Sequence, residues 1–255
     1  MLKLSIVTVC LNSARCIGDT LASVNAQTHA EIEHIVIDGG STDGTQDLVR
    51  QRGERVCRLI SEPDRGIYDA MNKGLALATG DIVGFLNADD VFASPEAVER
   101  IAQAFTPGVD ASYGDVVYVN STDPSRTIRY WRAGAYRPGL CASGWAPPHP
   151  TLYVRREVLV GHGGFNDRMR IAADFDLALR LFDVAGIGVR YIPETLGTHA
   201  HRWRVQRFVE GRAARSPPMG TALRAQGLPA GWGWSMRRIA RRVLQVLSRP
   251  RNAQN

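Results

Sequence analysis

The sequence predicts an α/β fold with a mixed, mostly parallel central sheet flanked by helices, and three observations lead there. Apolar runs of strand length alternate with segments of helical periodicity through residues 3–92. Glycines and polar side chains gather where the apolar runs stop. At 255 residues, with 44% apolar and 22% charged side chains, the chain has a globular composition and enough length for a sizeable core, which excludes a disordered chain.

Each element follows from its own residues. Residues 3–11 (KLSIVTVCL) read as a strand, and Ile17 to Ala26, with Leu21 and Val24 on one face, as a helix. EIEHIVID, 31–38, is a second strand ending in Asp38. GGSTDGT then turns the chain, with Ser41 and Thr42 expected to cap a helix containing Asp47 and Leu48. VCRLIS, 56–61, is a third strand. GIYDAMNKGLALATG is a helix whose core stripe is Ile67, Met71 and Leu75 and whose polar face carries Asp69, Asn72 and Lys73. GDIVGFLNADDVF, 80–92, holds a fourth strand: the continuous run with β-branched and aromatic members at 82, 83, 85 and 86 suits a sheet covered on both faces. Strands alternating with helices in this way call for right-handed crossovers.

The character changes after residue 110. SYGDVVYVN and TIRYWRA, within 112–133, read as two antiparallel strands with a turn around Asp123-Pro124. AYRPGLCASGWAPPHPTLYVRR carries Pro138, Pro147, Pro148 and Pro150 and reads as a long loop of the kind that closes over a site. RIAADFDLALRLFD, 170–183, starts a helix near Asp174, with Asp176 and Arg180 spaced as an i,i+4 pair.

The acidic residues fall at strand ends, where an open α/β sheet binds its ligands. Asp89 and Asp90 follow the fourth strand directly, and adjacent carboxylates repel unless a proton or cation neutralises them, so a divalent metal holding a phosphate group is the first expectation. Asp38, before two glycines, is placed either to accept a hydrogen bond from a base or ribose or to cap the turn at Ser41 or Asp43. Asp69 and Lys73 alone read as a surface ion pair, and Asp174 alone as a helix cap. GGSTDG lacks the glycine spacing of a dinucleotide fingerprint and follows the second strand, and no Gly-Lys-Ser phosphate loop is present.

The order of four segments, IVTVCLNS, HIVIDGGSTDGT, SEPDRGIYDAMNKGLALATGD and GFLNADD, resembles the motif series of family 2 glycosyltransferases of the GT-A fold, closest to bacterial members that build exopolysaccharide, capsule or lipopolysaccharide. The resemblance covers roughly residues 1–200. It implies inverting transfer of a sugar from a nucleotide-sugar donor to a saccharide or polyprenyl-linked acceptor, with Mn2+ or Mg2+ held by Asp89 and by Asp90 as ligand or orienter. It places Asp38, Asp69, Asn72, Lys73 and Asn87 in the nucleotide site, although Asn87 stands where the wider family has an acid. It makes Asp174 the general base and gives His149, in a His-Pro pair, an acceptor-side role. His199 or His201 would supply a further metal ligand. The family's downstream glycine-glycine-x-serine pattern is absent. Two other classes compete. A metal-dependent nucleotidyltransferase would bring a basic glycine-rich loop near the amino terminus, which VTVCLNSAR does not provide. A non-catalytic membrane scaffold has no use for these acids.

Charge divides the chain. From residue 200 onward twelve arginines face one acid, Glu210, a net +11, while residues 1–199 carry 19 basic and 24 acidic groups, a net −5. This predicts a catalytic unit over 1–200 and a basic extension over 201–255. Within the extension, 235–248 (SMRRIARRVLQVLS) places Met236, Ile239, Val243 and Leu247 on one helical face and Arg237, Arg238, Arg241 and Arg242 on the other, after Trp232 and Trp234. That pattern suits a helix in an anionic membrane interface, with docking on the body or on a second subunit as competing readings. Nucleic acid is a poor fit, because no recognition fold surrounds the basic residues. Four cysteines without metal-like spacing and an amino terminus that enters a strand within three residues predict a cytoplasmic protein without a leader, peripheral on the inner membrane face.

Overall fold

The computed structural model describes residues 1–120, 123–201 and 218–227. The alternating first part forms as read: β1 (Leu4–Cys10), α1 (Ile17–Asn25), β2 (Ile32–Asp38), α2 (Thr45–Arg52), β3 (Val56–Ser61), α3 (Ile67–Leu77) and β4 (Ile82–Phe85). After it come β5 (Asp90–Phe92), α4 (Ala97–Ala104), β6 (Ala111–Asn120), β7 (Asp123–Trp131), a short 3-10 turn (His149–Thr151), β8 (Tyr153–Arg155), α5 (Arg156–Gly161), α6 (Ala173–Ala178), β9 (Val189–His201) and α7 (Pro218–Ala225). A π-helical turn, Leu179–Val184, continues α6.

All nine strands join one sheet in the order β3-β2-β1-β4-β8-β6-β9-β5, with β7 added to β6. The β3-β2-β1-β4 half is parallel, as crossover helices require. Strand β8 pairs antiparallel with both β4 and β6, while β6 and β9 run parallel. Both faces are covered. Along β1, Leu4 and Ile6 point to a cluster with Val24, Val98, Ile101 and Phe105, whereas Val7 and Val9 point to one with Met71, Leu75, Phe165 and Phe182. That alternation of fully buried side chains is why the run reads as continuously apolar. Close approach is built in at Gly84, where a Cβ would stand 2.1 Å from the Tyr153 ring of the neighbouring strand.

Four local expectations differ. The N-cap of α2 is Gly44, at φ 90°, with no side-chain cap. Ser41 instead accepts from the Asn12 amide and donates to Asp38, and Asp43 accepts from the amide and hydroxyl of Thr45. Ile67 does not join the core stripe: it is 45% exposed, whereas Met71 and Leu75 are buried. β7 begins at Asp123, inside the span read as a turn, with Asp123 paired to Asn120. The proline-rich loop contains β8, which sits in the middle of the sheet.

Helix α7 packs on the body, with Ala222 and Leu223 buried in the same cluster as α6. The tryptophan pair and the amphipathic segment 235–248 lie outside the described residues. Among the described residues no helix is long and apolar enough to cross a membrane.

Candidate functional site

The carboxyl end of β4 delivers Asn87, Ala88 and Asp89 into a connection that leads directly to β5, whose first residue is Asp90. β5 is held antiparallel to β9, so Asp90 lies opposite His199. His199 Nδ1 is 2.7 Å from Asp90 Oδ1, and its Nε2 is 3.9 Å from Asp89 Oδ2. Burial alone would lower the His199 pKa, but the hydrogen bond to Asp90 and the charges of Asp90 and Asp89 outweigh it and raise it. The imidazole also meets the Tyr118 ring edge-on at 5.2 Å between centroids. Ligand atoms of Asp89, Asp90 and His199 all lie within 4.8 Å of one another. Two carboxylates and an imidazole on one small volume form a donor set that could hold a divalent cation. Among the described residues this is the one such cluster of three or more. His199 is therefore the histidine that joins the pair; the side chain of His201 lies outside the described residues.

Beside the cluster a cavity of about 240 Å3 is lined by Ile67, Tyr68, Met71, Asn87, Asp90, Tyr118, Trp131, His149, Pro150, Asp174 and His199. Five residues singled out from sequence therefore meet here from distant parts of the chain: Asn87, Asp90, His149, Asp174 and His199. Asn87 Oδ1 and His149 Nε2 are buried without a hydrogen-bond partner, an expensive condition that a polar ligand relieves. The His149 ring lies nearly parallel to Phe85 and edge-on to Phe165, which fixes its plane.

Asp174 stands in the first turn of α6, where the helix dipole favours a carboxylate. The residue that turns the chain into this helix, Ala172, holds φ at 69°, a conformation costing a non-glycine residue roughly 1–3 kcal/mol. The Tyr68 hydroxyl donates to Asp174 Oδ1 at 3.2 Å. Burial first, and then the Asp174 charge, push the Tyr68 pKa upward, so the phenol keeps the proton it donates. Asp176, two residues on, faces away and pairs with Arg180 at 2.8 Å, as its spacing suggests.

The remaining candidates lie elsewhere. Asp38 is fully buried, and its carboxylate accepts from the Ser41 hydroxyl and amide, the Gly40 amide and the Ser61 hydroxyl. Burial would raise its pKa, yet these donors together lower it, so the group is an anion that clamps the turn after β2. Asp69 accepts from Arg65, which also reaches Asp167, and Lys73 pairs with Glu62 at 2.8 Å. These form an ionic cluster at the start of α3, outside the cavity lining. Asn72 is taken up by the main chain of Phe165.

Sequence reasoning did not single out Tyr68, Tyr118 or Trp131. Tyr68 sits inside the GIYDAMNKG helix beside the residues that were chosen, and the two others lie in the alternating run of the β6–β7 pair; an aromatic at a half-buried strand position was the available signal.

Comparison with known proteins adds an independent line. A family model described as glycosyl transferase family 2 matches residues 5–162, ending before Asp174 and His199. A PGL/p-HBAD biosynthesis glycosyltransferase of Mycobacterium bovis (strain BCG / Pasteur 1173P2) is 32% identical over 202 residues, covering 74% of this chain and 73% of that one. Among solved structures, S. aureus TarS aligns with a TM-score of 0.64 at 17% identity over 87% of this chain, which spans only 42% of that one. TarS residues 1–349 in complex with UDP aligns with a TM-score of 0.65, at 17% identity, over 92% of this chain and 68% of that one. Glucosyl-3-phosphoglycerate synthase from Mycobacterium tuberculosis, in complex with Mn2+, UDP and glucosyl-3-phosphoglycerate, gives 0.61 at 20% identity over 90% and 82% of the two chains.

Proposed function

The chain belongs to glycosyl transferase family 2 and has the GT-A fold, and from that premise we propose that it moves a sugar, with inversion, from a nucleoside-diphosphate donor to a hydroxyl of a saccharide or lipid-linked acceptor in bacterial cell-surface polysaccharide synthesis. The observation that carries this reading is a single cavity with a carboxylate-imidazole cluster beside it and a separate carboxylate, Asp174, on its wall.

In this reading Asp174 takes the proton from the acceptor hydroxyl as that oxygen attacks the anomeric carbon. Tyr68 orients the carboxylate by its hydrogen bond to Oδ1, which leaves Oδ2 for the acceptor. Attack from the Asp174 side expels the nucleoside diphosphate on the opposite side, so the configuration inverts. Asp89, Asp90 and His199 would hold Mn2+ or Mg2+, which when bound stabilises the charge on the departing diphosphate as a Lewis acid. Asn87 contributes its unpaired oxygen to a donor hydroxyl or to a water on the diphosphate. His149 contacts the acceptor. Asp38 shapes the nucleobase pocket through the turn it clamps, and the Asp69–Lys73 cluster sets the charge at its edge. The arginine-rich segment beyond residue 201 supports action at an anionic membrane surface.

The test is calorimetry of the purified protein with UDP, GDP, CDP and dTDP, each with Mn2+ and with a chelator. UDP is the first to try, since it is present in the TarS and synthase complexes. One nucleotide is expected to bind with metal and to be lost with chelator. A folded protein that binds none of the four overturns the proposal.

A further inference from the structure

The register of the sheet sorts the cavity into two rows. On one, Arg129, Tyr118, His199 and Asp90 stand opposite one another across β7, β6, β9 and β5. On the next, Trp131, Val116 and Gly197 stand opposite one another. Directly opposed residues share a face, and successive rows on one face are about 7 Å apart. Trp131 therefore lies one row away from the carboxylate-imidazole cluster, on the side where the turn His149–Thr151 lies over the sheet, Thr151 Oγ1 donating to Gly114 O at 2.9 Å. Along that row Val116 and Gly197 separate the indole from Phe92, and the side chain of Thr151 fills the space over Gly197. The Arg129 guanidinium is 4.9 Å from the Tyr118 centroid and 5.1 Å from the Trp131 centroid, and it braces both rings from one side.

Among the described residues the lining holds no lysine or arginine, the Arg129 guanidinium standing against the two rings. The cavity, of about 240 Å3, is lined by both Trp131 and Asp174. A pyranose ring, with one apolar C–H face and hydroxyls at its edge, matches an indole and a carboxylate lining one cavity.

Resting on the function proposed above, we infer that Trp131, with Tyr118 beside it, is the stacking wall of an acceptor subsite for a pyranose ring, whose edge hydroxyl is presented to Asp174. The ring lies with its C–H face on the indole. Specificity for the acceptor is then set by the β6–β7 pair, while donor binding is set by residues of β2, β4 and β5.

The experiment is saturation-transfer difference NMR on the full chain with Mg2+ and the nucleoside diphosphate that binds best. The probes are the methyl pyranosides of glucose, galactose, mannose and N-acetylglucosamine. At least one probe is expected to show saturation on its ring C–H protons. Trp131→Ala is expected to reduce that signal at least fivefold, Trp131→Phe to retain most of it, and both variants to bind the nucleotide within twofold of the parent and to melt within a few degrees of it. A Trp131→Ala signal within twofold of the parent overturns the inference. Nucleotide binding lost together with the pyranoside signal overturns it too, because the wall would then belong to the donor. If the nucleotide binds and no pyranoside does, this inference fails while the proposed function stands. If no nucleotide binds, the proposed function fails first.

Discussion

Asn72 on α3 grips Phe165 by both of its main-chain groups: Nδ2 donates to Phe165 O at 2.8 Å, and Oδ1 accepts from Phe165 N at 2.9 Å, across 93 residues of sequence. Phe165 in turn meets Tyr68, Phe85 and His149, three rings around the cavity. Asn72 thus acts on the site through the segment it anchors. Asn72→Ala leaves two buried main-chain groups without partners, at a cost of about 1–3 kcal/mol each before relaxation. A lower urea midpoint with nucleotide binding within twofold of the parent is the expected result. Loss of nucleotide binding at unchanged stability would make Asn72 a direct ligand contact instead.

Asp174→Asn removes the proposed base and keeps the shape of the side chain. The turnover number should fall by about 10²–10⁴ with donor binding intact. A fall below threefold, measured at saturating donor and acceptor, would move the base elsewhere.

Tyr68→Phe deletes a hydroxyl that donates to Asp174 and leaves the stacking on Phe165 in place. A hydrogen bond to a carboxylate is worth about 1.5–3 kcal/mol, so a loss of roughly tenfold or more in turnover is expected, with donor KM unchanged. A change confined to KM would make Tyr68 a binding residue.

His199→Ala and Asp90→Asn each remove a member of the carboxylate-imidazole cluster. Mn2+ affinity in the presence of the nucleotide should weaken about 10–100-fold, as read by calorimetry. Since Asp90 is 3% exposed, its replacement is made as Asn to keep the volume. Unchanged Mn2+ affinity in both variants would place the ion elsewhere.

Stability should fall in acid in two steps set by adjacent residues of β2. His34 is fully buried, which lowers its pKa from 6.5 to about 4, so the unfolded chain takes up a proton there before the folded one does and stability is lost as pH falls from 6.5 toward 4. Burial would raise the Glu33 pKa, but hydrogen bonds from Ser5, Thr79 and Lys3 bring it from 4.5 to about 2. Its contribution, on the order of 3 kcal/mol, is present above pH 4.5 and lost as pH falls toward 2. Chemical denaturation at several pH values should show Glu33→Gln flattening the lower step and leaving the upper one. An unaltered lower step would assign it to other carboxylates.

The first 92 residues were legible because β1, β2 and β4 are buried along almost their whole length and read as largely apolar runs, while the half-exposed edge strand β3 is marked by its alternation with helices. β8 and β9 were not. β8 is three residues long and follows four prolines, and β9 carries Pro193, Gly197 and His199 because part of it faces the cavity rather than the core. Asn87 and Asp90 reach the cavity from a segment that motif order marks, and His149 and Asp174 from later segments marked by a His-Pro pair and an acidic motif. Asp38 and Asn72 sit in equally marked segments, but marking does not reveal that their polar atoms are consumed internally. Tyr68, Tyr118 and Trp131 leave no periodic trace, since an aromatic that lines a cavity occupies the same strand or helix positions as one that packs in a core.

β9 is the last strand of the described chain in sequence, yet it lies inside the sheet between β6 and β5. During synthesis the acidic pair leaves the ribosome more than a hundred residues before its histidine, and β5 has no strand partner until β9 arrives. Closing so distant a pairing is a slow, late event. The nascent chain can therefore build its parallel half early while remaining unable to gather Asp89, Asp90 and His199, and competence comes in a single late step when the final strand is threaded home.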